Sequence, residues 1–219
     1  RDSGHEDAHH QVEELITELD LPIETRREYR RKYAGLPQHF LRNWQIIGMY
    51  PNQKCEAYKK AYEPETDGYK PDAEYELGTT TLKWQLYESP TDLVDLMKAF
   101  KTDNDFMMAY SVCWVYFPKA MQIHLELGAD DGFKTWLNGK PFVRWHRHWS
   151  AIPRDVTWDY NVPAGWSEFM IKLGNAGLEW GFYIQFVGAE GFGPPEGFKV
   201  RSTPPPGWQG REKRVVKEE

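Results

Sequence analysis

The strongest constraint on the fold of this chain is an alternation of apolar and polar residues with a period of two. The alternation occurs in the segments 121–127, 168–173 and 180–186. Successive side chains of a β-strand point to opposite faces, so each segment is typical of a strand with one buried face. The segment 108–116 is apolar on both faces, which predicts a strand that is covered on both sides.

Two dipeptides, Asp131-Gly132 and Asn138-Gly139, carry the signal of two-residue hairpin turns. Such turns need positive φ angles, which Asn, Asp and Gly adopt most readily. The dipeptides bracket the short segment 133–137, so they predict a meander of three antiparallel strands. Many short strands separated by turn signals are typical of a β-sandwich, and we therefore expect a mainly β fold.

Helical periodicity is confined to three segments. Residues 8–20 have the pattern of an amphipathic helix, and a charged helix that starts with a capping box is expected over residues 25–33. Neither has an apolar face wide enough to fold alone. The apolar residues of segment 93–100 also recur at helical spacing. Ser89-Pro90 ahead of them fits an N-cap followed by proline, so we expect one helix within the β region.

These patterns divide the chain into three regions. We expect a helical extension over residues 1–40, a β-sandwich domain over 41–190 and an extended tail rich in proline and glycine over 191–219. Because neither end can form a core by itself, both are expected to pack on the main domain or on a partner protein. The predicted fold is a β-sandwich with a short N-terminal helical extension and an extended C-terminal tail.

The composition excludes several classes of function. The 219 residues include 27 Lys and Arg against 33 Asp and Glu, whereas a general nucleic-acid binder carries a basic surface. No run approaches the roughly 18 apolar residues of a membrane-spanning helix. No Ser-His-Asp arrangement, phosphate-binding glycine loop or paired-carboxylate motif is recognisable, so we expect neither an enzyme nor a cofactor. Cys55 and Cys113 could form one disulfide, which the sequence leaves open.

Aromatic residues make up 15% of the chain, enough to fill much of a sizeable core. Two of the ten tryptophans, Trp145 and Trp149, stand in a run of charged and histidine residues and have the better case for a function. Six others fall in or beside expected strands and are predicted to build the core: Trp44, Trp84, Trp114, Trp136, Trp166 and Trp180.

Residues 128–140, with the sequence GADDGFKTWLNGK, resemble the DDG-x-x-x-WLNGK pattern of galactose-binding-like jelly-roll modules. Three further segments are similar to parts of the same pattern in the same order: 44–48, 162–166 with the strand that follows, and 180–182. The resemblance covers roughly residues 44–187. Modules of this family are appended to glycoside hydrolases and to large proteins of planctomycete-type bacteria.

The resemblance implies a jelly-roll sandwich and a non-catalytic module that binds carbohydrate. It also favours an extracytoplasmic location, periplasmic or secreted. Because related modules sometimes only support neighbouring domains, a second hypothesis is an interaction or assembly subunit of a larger protein complex. The N-terminal helices and the C-terminal tail would then contact the partners. Arginines at i,i+4 spacing in the segment 25–33 build a basic face, which is either solvated or docks an acidic partner or a nucleic acid.

The run 144–149 holds the candidate sugar-binding residues. If it continues a strand after the Asn138-Gly139 turn, Trp145, Arg147 and Trp149 share one face. A sugar site needs flat aromatic rings for stacking and planar groups that hydrogen-bond hydroxyls, and these three residues supply both. The alternative is a Trp-Arg stack that closes the edge of the sandwich without a ligand.

Two metal-site hypotheses have simpler explanations. His146 and His148 could chelate a metal ion, but no third ligand stands nearby in the sequence. The Asp130-Asp131 dipeptide could bind calcium together with Asp103 or Asp105, because calcium prefers clustered carboxylates. A turn at Asp131 explains the dipeptide without an ion, so we predict no metal site.

Overall fold

The computed structural model describes residues 39–53, 59–145, 150–189 and 193–210, with the backbone alone at Trp145. The helices expected at 8–20 and 25–33 lie outside these residues, as does the charged end of the tail.

Two short helices occur in the described ranges, α1 (Glu63–Asp67) and α2 (Leu96–Phe100). The strands, in chain order, are β1 (Asn43–Pro51), β2 (Glu74–Leu77), β3 (Thr80–Lys83), β4 (Gln85–Glu88), β5 (Val94–Asp95), β6 (Met107–Phe117), β7 (Met121–Asp130), β8 (Phe133–Leu137), β9 (Lys140–Trp145), β10 (Val156–Val162), β11 (Gly165–Gly174), β12 (Gly181–Gly188) and β13 (Lys199–Arg201).

Two antiparallel sheets face each other. The large sheet has the strand order β4-β1-β6-β11-β8-β9, and β13 also pairs with β6; the small sheet has the order β10-β7-β12-β5. The strands β2 and β3 form a separate hairpin. One hydrophobic cluster contains residues of both sheets, so the sheets pack face to face as in a β-sandwich. The expectation of a mainly β fold is confirmed.

The alternation in the sequence places its apolar residues in this shared core. Ile123, Leu125 and Leu127 of β7 are fully buried there, as are Phe169 and Ile171 of β11. Each strand turns one apolar face inward because successive side chains alternate across the sheet. Burial of these side chains contributes about 2 kcal/mol each to the hydrophobic stabilisation.

A second hydrophobic cluster covers the outer face of the large sheet. The covering segment, residues 59–84, includes α1, β2 and β3 and contributes Tyr62, Tyr75 and Trp84 to this cluster. These side chains share the cluster with Trp114 of β6, which has no exposed surface. Both faces of β6 are therefore buried, as its apolar sequence predicted.

Five of the six tryptophans predicted to build the core are buried, and so is one of the two cysteines. Cys113 is a free, buried thiol on β6, and Cys55 lies outside the described residues. Trp166 is half-buried at the margin of the second cluster. The other five tryptophans expected in the core are buried, as predicted: Trp44, Trp84, Trp114, Trp136 and Trp180.

One of the two expected hairpin turns is correct and the other is wrong. Asn138 and Gly139 have φ angles of 50° and 72° and join β8 to β9. Asp131-Gly132 instead carries the chain from β7 in the small sheet to β8 in the large sheet, so no three-stranded meander forms. The crossing is stabilised because Asp131 donates its backbone N–H to Gly174 O, and Gly174 donates to Gly132 O, each at 3.0 Å.

The helix expected within the β region begins later than predicted. α2 starts after Asp95, whose carboxylate accepts the backbone N–H of Lys98 at 3.0 Å and so caps the first turn. Ser89, the predicted N-cap, instead donates its hydroxyl to the carbonyl oxygen of Leu93 at 2.5 Å. Val94 and Asp95 pair with β12 before the helix begins. In the described part of the chain, no helix has the length and apolar character needed to cross a membrane.

A buried ion pair joins the covering segment to the large sheet. Lys172 Nζ lies 3.1 Å from Glu65 Oε2 and donates to the carbonyl oxygen of Lys60 at 2.6 Å. The hydroxyl of Tyr110 donates to the same carboxylate at 3.2 Å. Burial lowers the pKa of Lys172 to about 8, although the neighbouring Glu65 opposes this change. The pair therefore fixes α1 over β6 and β11.

The segment 150–155 packs on the outer face of the small sheet. Arg154 Nε and Nη2 lie 2.7 and 2.8 Å from the two carboxylate oxygens of Glu126 on β7. Ile152 lies over Gly128, where a Cβ atom would stand 1.7 Å from the Ile152 carbonyl oxygen. Glycine is therefore required at position 128 for the segment to approach the sheet this closely.

Candidate functional site

Four acidic residues lie at one end of the sandwich. β7 ends there at Asp130, which pairs with the first residue of β12, and Asp131 follows. Glu179, two residues before β12, is close enough to affect the ionisation of Asp130. Asp105 reaches the same end from the loop before β6, where its carboxylate accepts the backbone N–H of Leu178 at 3.0 Å. We call Asp105, Asp130, Asp131 and Glu179 the acidic end.

Two of these carboxylates are unusually well buried. Asp130 is 6% exposed and Asp131 is 9% exposed, and the peptide bond between them is cis. Burial, followed by repulsion from Asp131 and Glu179, raises the pKa of Asp130 to about 7. The ionised form of Asp130 is therefore costly in the folded chain. A ligand that donates hydrogen bonds to this carboxylate would stabilise that form.

Side-chain hydrogen bonds order the turn 174–178 beside the buried aspartates. Asp131 Oδ2 accepts the backbone N–H of Ala176 at 2.6 Å. Asn52, at the end of β1, donates its side-chain amide to the carbonyl oxygen of Asn175 at 3.1 Å. With the bond from Leu178 to Asp105, these contacts connect the turn to three separate parts of the chain. Hydrogen bonds therefore hold the backbone of the acidic end in place, and a binding site needs such a preorganised backbone.

Two exposed apolar side chains border the acidic end. Leu178 is 86% exposed and Phe106 is 45% exposed, although both are large hydrophobic residues. Their φ angles are 67° and 56°, in the left-handed region that side chains other than glycine rarely adopt. Such positions cost free energy and cluster at binding and active sites. Two of them beside buried carboxylates mark this end as the candidate ligand site.

The sequence-predicted sugar-binding run begins at the same end. Trp145 is the last residue of β9, and its backbone pairs with Phe133, two residues after Asp131. Arg147 and Trp149 lie outside the described residues, as do the histidines at 146 and 148. The predicted site therefore starts beside the acidic end, and the roles of Trp145, Arg147 and Trp149 stay predictions.

The metal hypotheses gain no support from the described residues. Within them, no group of three or more His, Cys, Asp or Glu residues could hold a metal ion. Asp103, one expected calcium ligand, is exposed. Asp105, the other, accepts a hydrogen bond from the turn 174–178. Asp131 belongs to a crossing between the sheets, which corrects the simple turn expected there.

Sequence reasoning found the aspartates but missed their apolar neighbours. Phe106 and Leu178 are 72 positions apart in the chain and follow no common motif. The available signal was Gly177-Leu178, a large apolar residue next to glycine and just ahead of an acidic residue. Only the pairing of β6 with β11 brings these residues to one end of the sheet.

The chain is only weakly similar to known proteins. No family model and no curated protein matches the chain. Among solved structures, it is similar to a β-glucosidase from Kluyveromyces marxianus in complex with glucose (11% identity, TM-score 0.41), covering 67% of this chain and 16% of that one. It is also similar to the PA14 domain of the antifreeze protein MpAFP (12% identity, TM-score 0.36), covering 71% and 86%. The chain thus spans about a sixth of the β-glucosidase, and at these TM-scores neither likeness indicates a ligand.

Proposed function

We propose that this protein is a non-catalytic carbohydrate-binding module of jelly-roll type and that the acidic end binds the sugar. The observation that carries the proposal is the juxtaposition of two buried carboxylates, Asp130 and Asp131, with two exposed apolar side chains, Phe106 and Leu178. A sugar presents both hydroxyl groups and an apolar C–H face. The carboxylates can accept hydrogen bonds from the hydroxyl groups, and the exposed apolar side chains can contact the C–H face.

The chemistry of binding follows from the geometry. Sugar hydroxyls donate hydrogen bonds to ionised carboxylates, and such charge-assisted bonds are roughly twice as strong as neutral ones. Asp130 and Asp131 are buried among ordered backbone, so they lose little conformational freedom when a ligand arrives. Phe106 offers a ring for the C–H face of the sugar. In this proposal Trp145, Arg147 and Trp149 extend the site with further stacking and hydrogen bonding.

A glycan array followed by calorimetry tests the proposal. The wild-type chain should bind a defined set of glycans, and Asp131→Asn, Phe106→Ala and Trp145→Ala should each weaken binding by at least about tenfold. Each titration is run with calcium and with a chelator, which reveals any requirement for the ion.

The matched controls are Asp72→Asn, an exposed aspartate, and Leu86→Ala, an exposed apolar residue on β4. Both should bind like the wild type. No binding across a broad array would overturn the proposal. Release of free sugar from a bound glycan would overturn the non-catalytic part, because a carboxylic acid with a raised pKa also suits a glycoside hydrolase.

A further inference from the structure

The opposite end of the large sheet presents a row of one cation and two aromatic rings. Lys199 of β13 pairs with Tyr116 of β6, and Tyr116 pairs with Trp166 of β11, so the three residues lie side by side on one face. Lys199 Nζ is 5.5 Å from the centre of the Tyr116 ring. The Tyr116 and Trp166 rings are 5.4 Å apart. Together with Arg201 we call these residues the basic platform.

This row is more open than the rest of β6 on the same face. Tyr110, Val112 and Trp114, the preceding outward residues of β6, are fully buried by the second cluster. Tyr116 and Trp166 are only half-buried. The covering layer therefore stops one row short of the end of the sheet. Both neighbouring rings keep some contact with solvent, and because their planes are inclined at 53°, each can pack against a different sugar ring.

The charge beside the two rings is positive. Lys199 and Arg201 are exposed, and neither forms an ion pair within the described residues. Lys119, in the turn that follows β6, and Lys140, at the start of β9, are also exposed at this end. Glu196 is an exposed carboxylate in the turn before β13. Among the described residues, cations thus outnumber exposed acids here, in a chain whose net charge is −6.

We propose that the basic platform is a second binding site, specific for acidic oligosaccharides that carry uronic acid residues. Pyranose rings would stack on Tyr116 and Trp166, and the uronate carboxylates would pair with Lys199 and Arg201. A nucleic acid fits this site less well. Nucleic-acid binding relies on an extended basic surface, whereas this protein has a net negative charge. The site lies at the other end of β6 and β11 from the acidic end, so it does not depend on the function proposed above.

Titration calorimetry with oligogalacturonate and with its methyl-esterified, uncharged form tests this proposal. The acidic form should bind, and binding should weaken as salt is raised to about 0.15 M, because exposed ion pairs are screened. The esterified form should bind at least about tenfold more weakly. Trp166→Ala and Lys199→Glu should each reduce affinity for the acidic form by about tenfold or more.

Conservative variants and matched controls separate recognition from folding. Trp166→Phe and Lys199→Arg should retain most of the affinity, since each keeps the ring or the charge. Leu86→Ala, an exposed apolar residue on the large sheet, and Lys59→Glu, an exposed lysine in the covering segment, should bind like the wild type. Thermal unfolding of each variant identifies any that fails to fold.

Any of the following results would overturn the proposal. One is the absence of binding to oligogalacturonate by the folded wild-type chain, or equal binding by Trp166→Ala and the wild type. Another is tighter binding to a single-stranded oligonucleotide than to the oligosaccharide. A further one is self-association in ultracentrifugation that Lys199→Glu abolishes, because the platform would then bind the acidic end of a second copy.

Discussion

Replacing Asp130 by asparagine should stabilise the folded chain. The pKa of this carboxyl, about 7 against an ordinary 3.8, means that its ionisation costs free energy in the folded state alone. At about 1.4 kcal/mol per pKa unit, the difference corresponds to about 4 kcal/mol. Solvent at the end of the sandwich screens part of the repulsion, so we expect the variant to gain about 2 kcal/mol at about pH 8.

The gain from Asp130→Asn should depend on pH. Below about pH 3 the carboxyl is mostly neutral in the folded and unfolded chains alike, and the variant should gain little. Between about pH 4 and 7 the folded chain holds a proton that the unfolded chain releases, so wild-type stability falls as the pH rises. Above about pH 7 the full cost is present. Urea unfolding followed by tryptophan fluorescence at both ends of this range measures the effect.

Asp72→Asn is the control for a simple change in net charge, because Asp72 is exposed in the turn before β2. It should change stability by less than about 0.5 kcal/mol. An Asp130→Asn variant no more stable than the wild type at about pH 8 would contradict the raised pKa of Asp130, as would a gain that stays constant down to about pH 4. The same variant should lose sugar binding, a trade between stability and function that is common at binding sites.

Two further substitutions test the packing around the sheets. Lys172→Met should lower the free energy of unfolding by about 3 kcal/mol, because it removes the cation beside the buried carboxylate of Glu65. The double variant that also carries Glu65→Gln should recover part of this loss, because it no longer buries an unpaired charge. A loss below about 1 kcal/mol in denaturant titration would contradict a buried pair. Gly128→Ala should cost about 3 kcal/mol or more, since its Cβ would meet the carbonyl of Ile152. Gly78→Ala is the control, because Gly78 has a φ of 62° but lies in open space, and it should lower the free energy of unfolding by only about 1 kcal/mol. Equal losses of stability at the two glycines would contradict the close approach at position 128.

The inner faces of the strands could be predicted from the sequence, but the outer face of the large sheet could not. Ile123, Leu125 and Leu127 alternate with polar residues, and that period fixes which face is buried. The same alternation predicts that Glu168 and Lys172 of β11 are exposed to solvent, yet both side chains are buried. They are covered by residues about 100 positions earlier in the chain, and no local pattern reports such a contact.

The turn signals show a similar limit. Asn138-Gly139 determines its own φ angles, and β8 and β9 are close enough in sequence to pair directly. Asp131-Gly132 also changes the chain direction, but which sheet the next strand joins is decided by the contacts of Gly174. The candidate site depends on this crossing, so its aspartates could be found from the sequence and its geometry could not.

NMR shift changes of the backbone amides during a sugar titration locate the sugar site. Galactose, and then the tightest ligand from the glycan array, is titrated into the labelled chain. We predict that the largest shift changes occur at the amides of Ala176 and Leu178, which donate to Asp131 and Asp105 at the acidic end. The amides of β2 and β3 should stay unchanged. Shift changes that leave the turn 174–178 unaffected would contradict a sugar site at the acidic end.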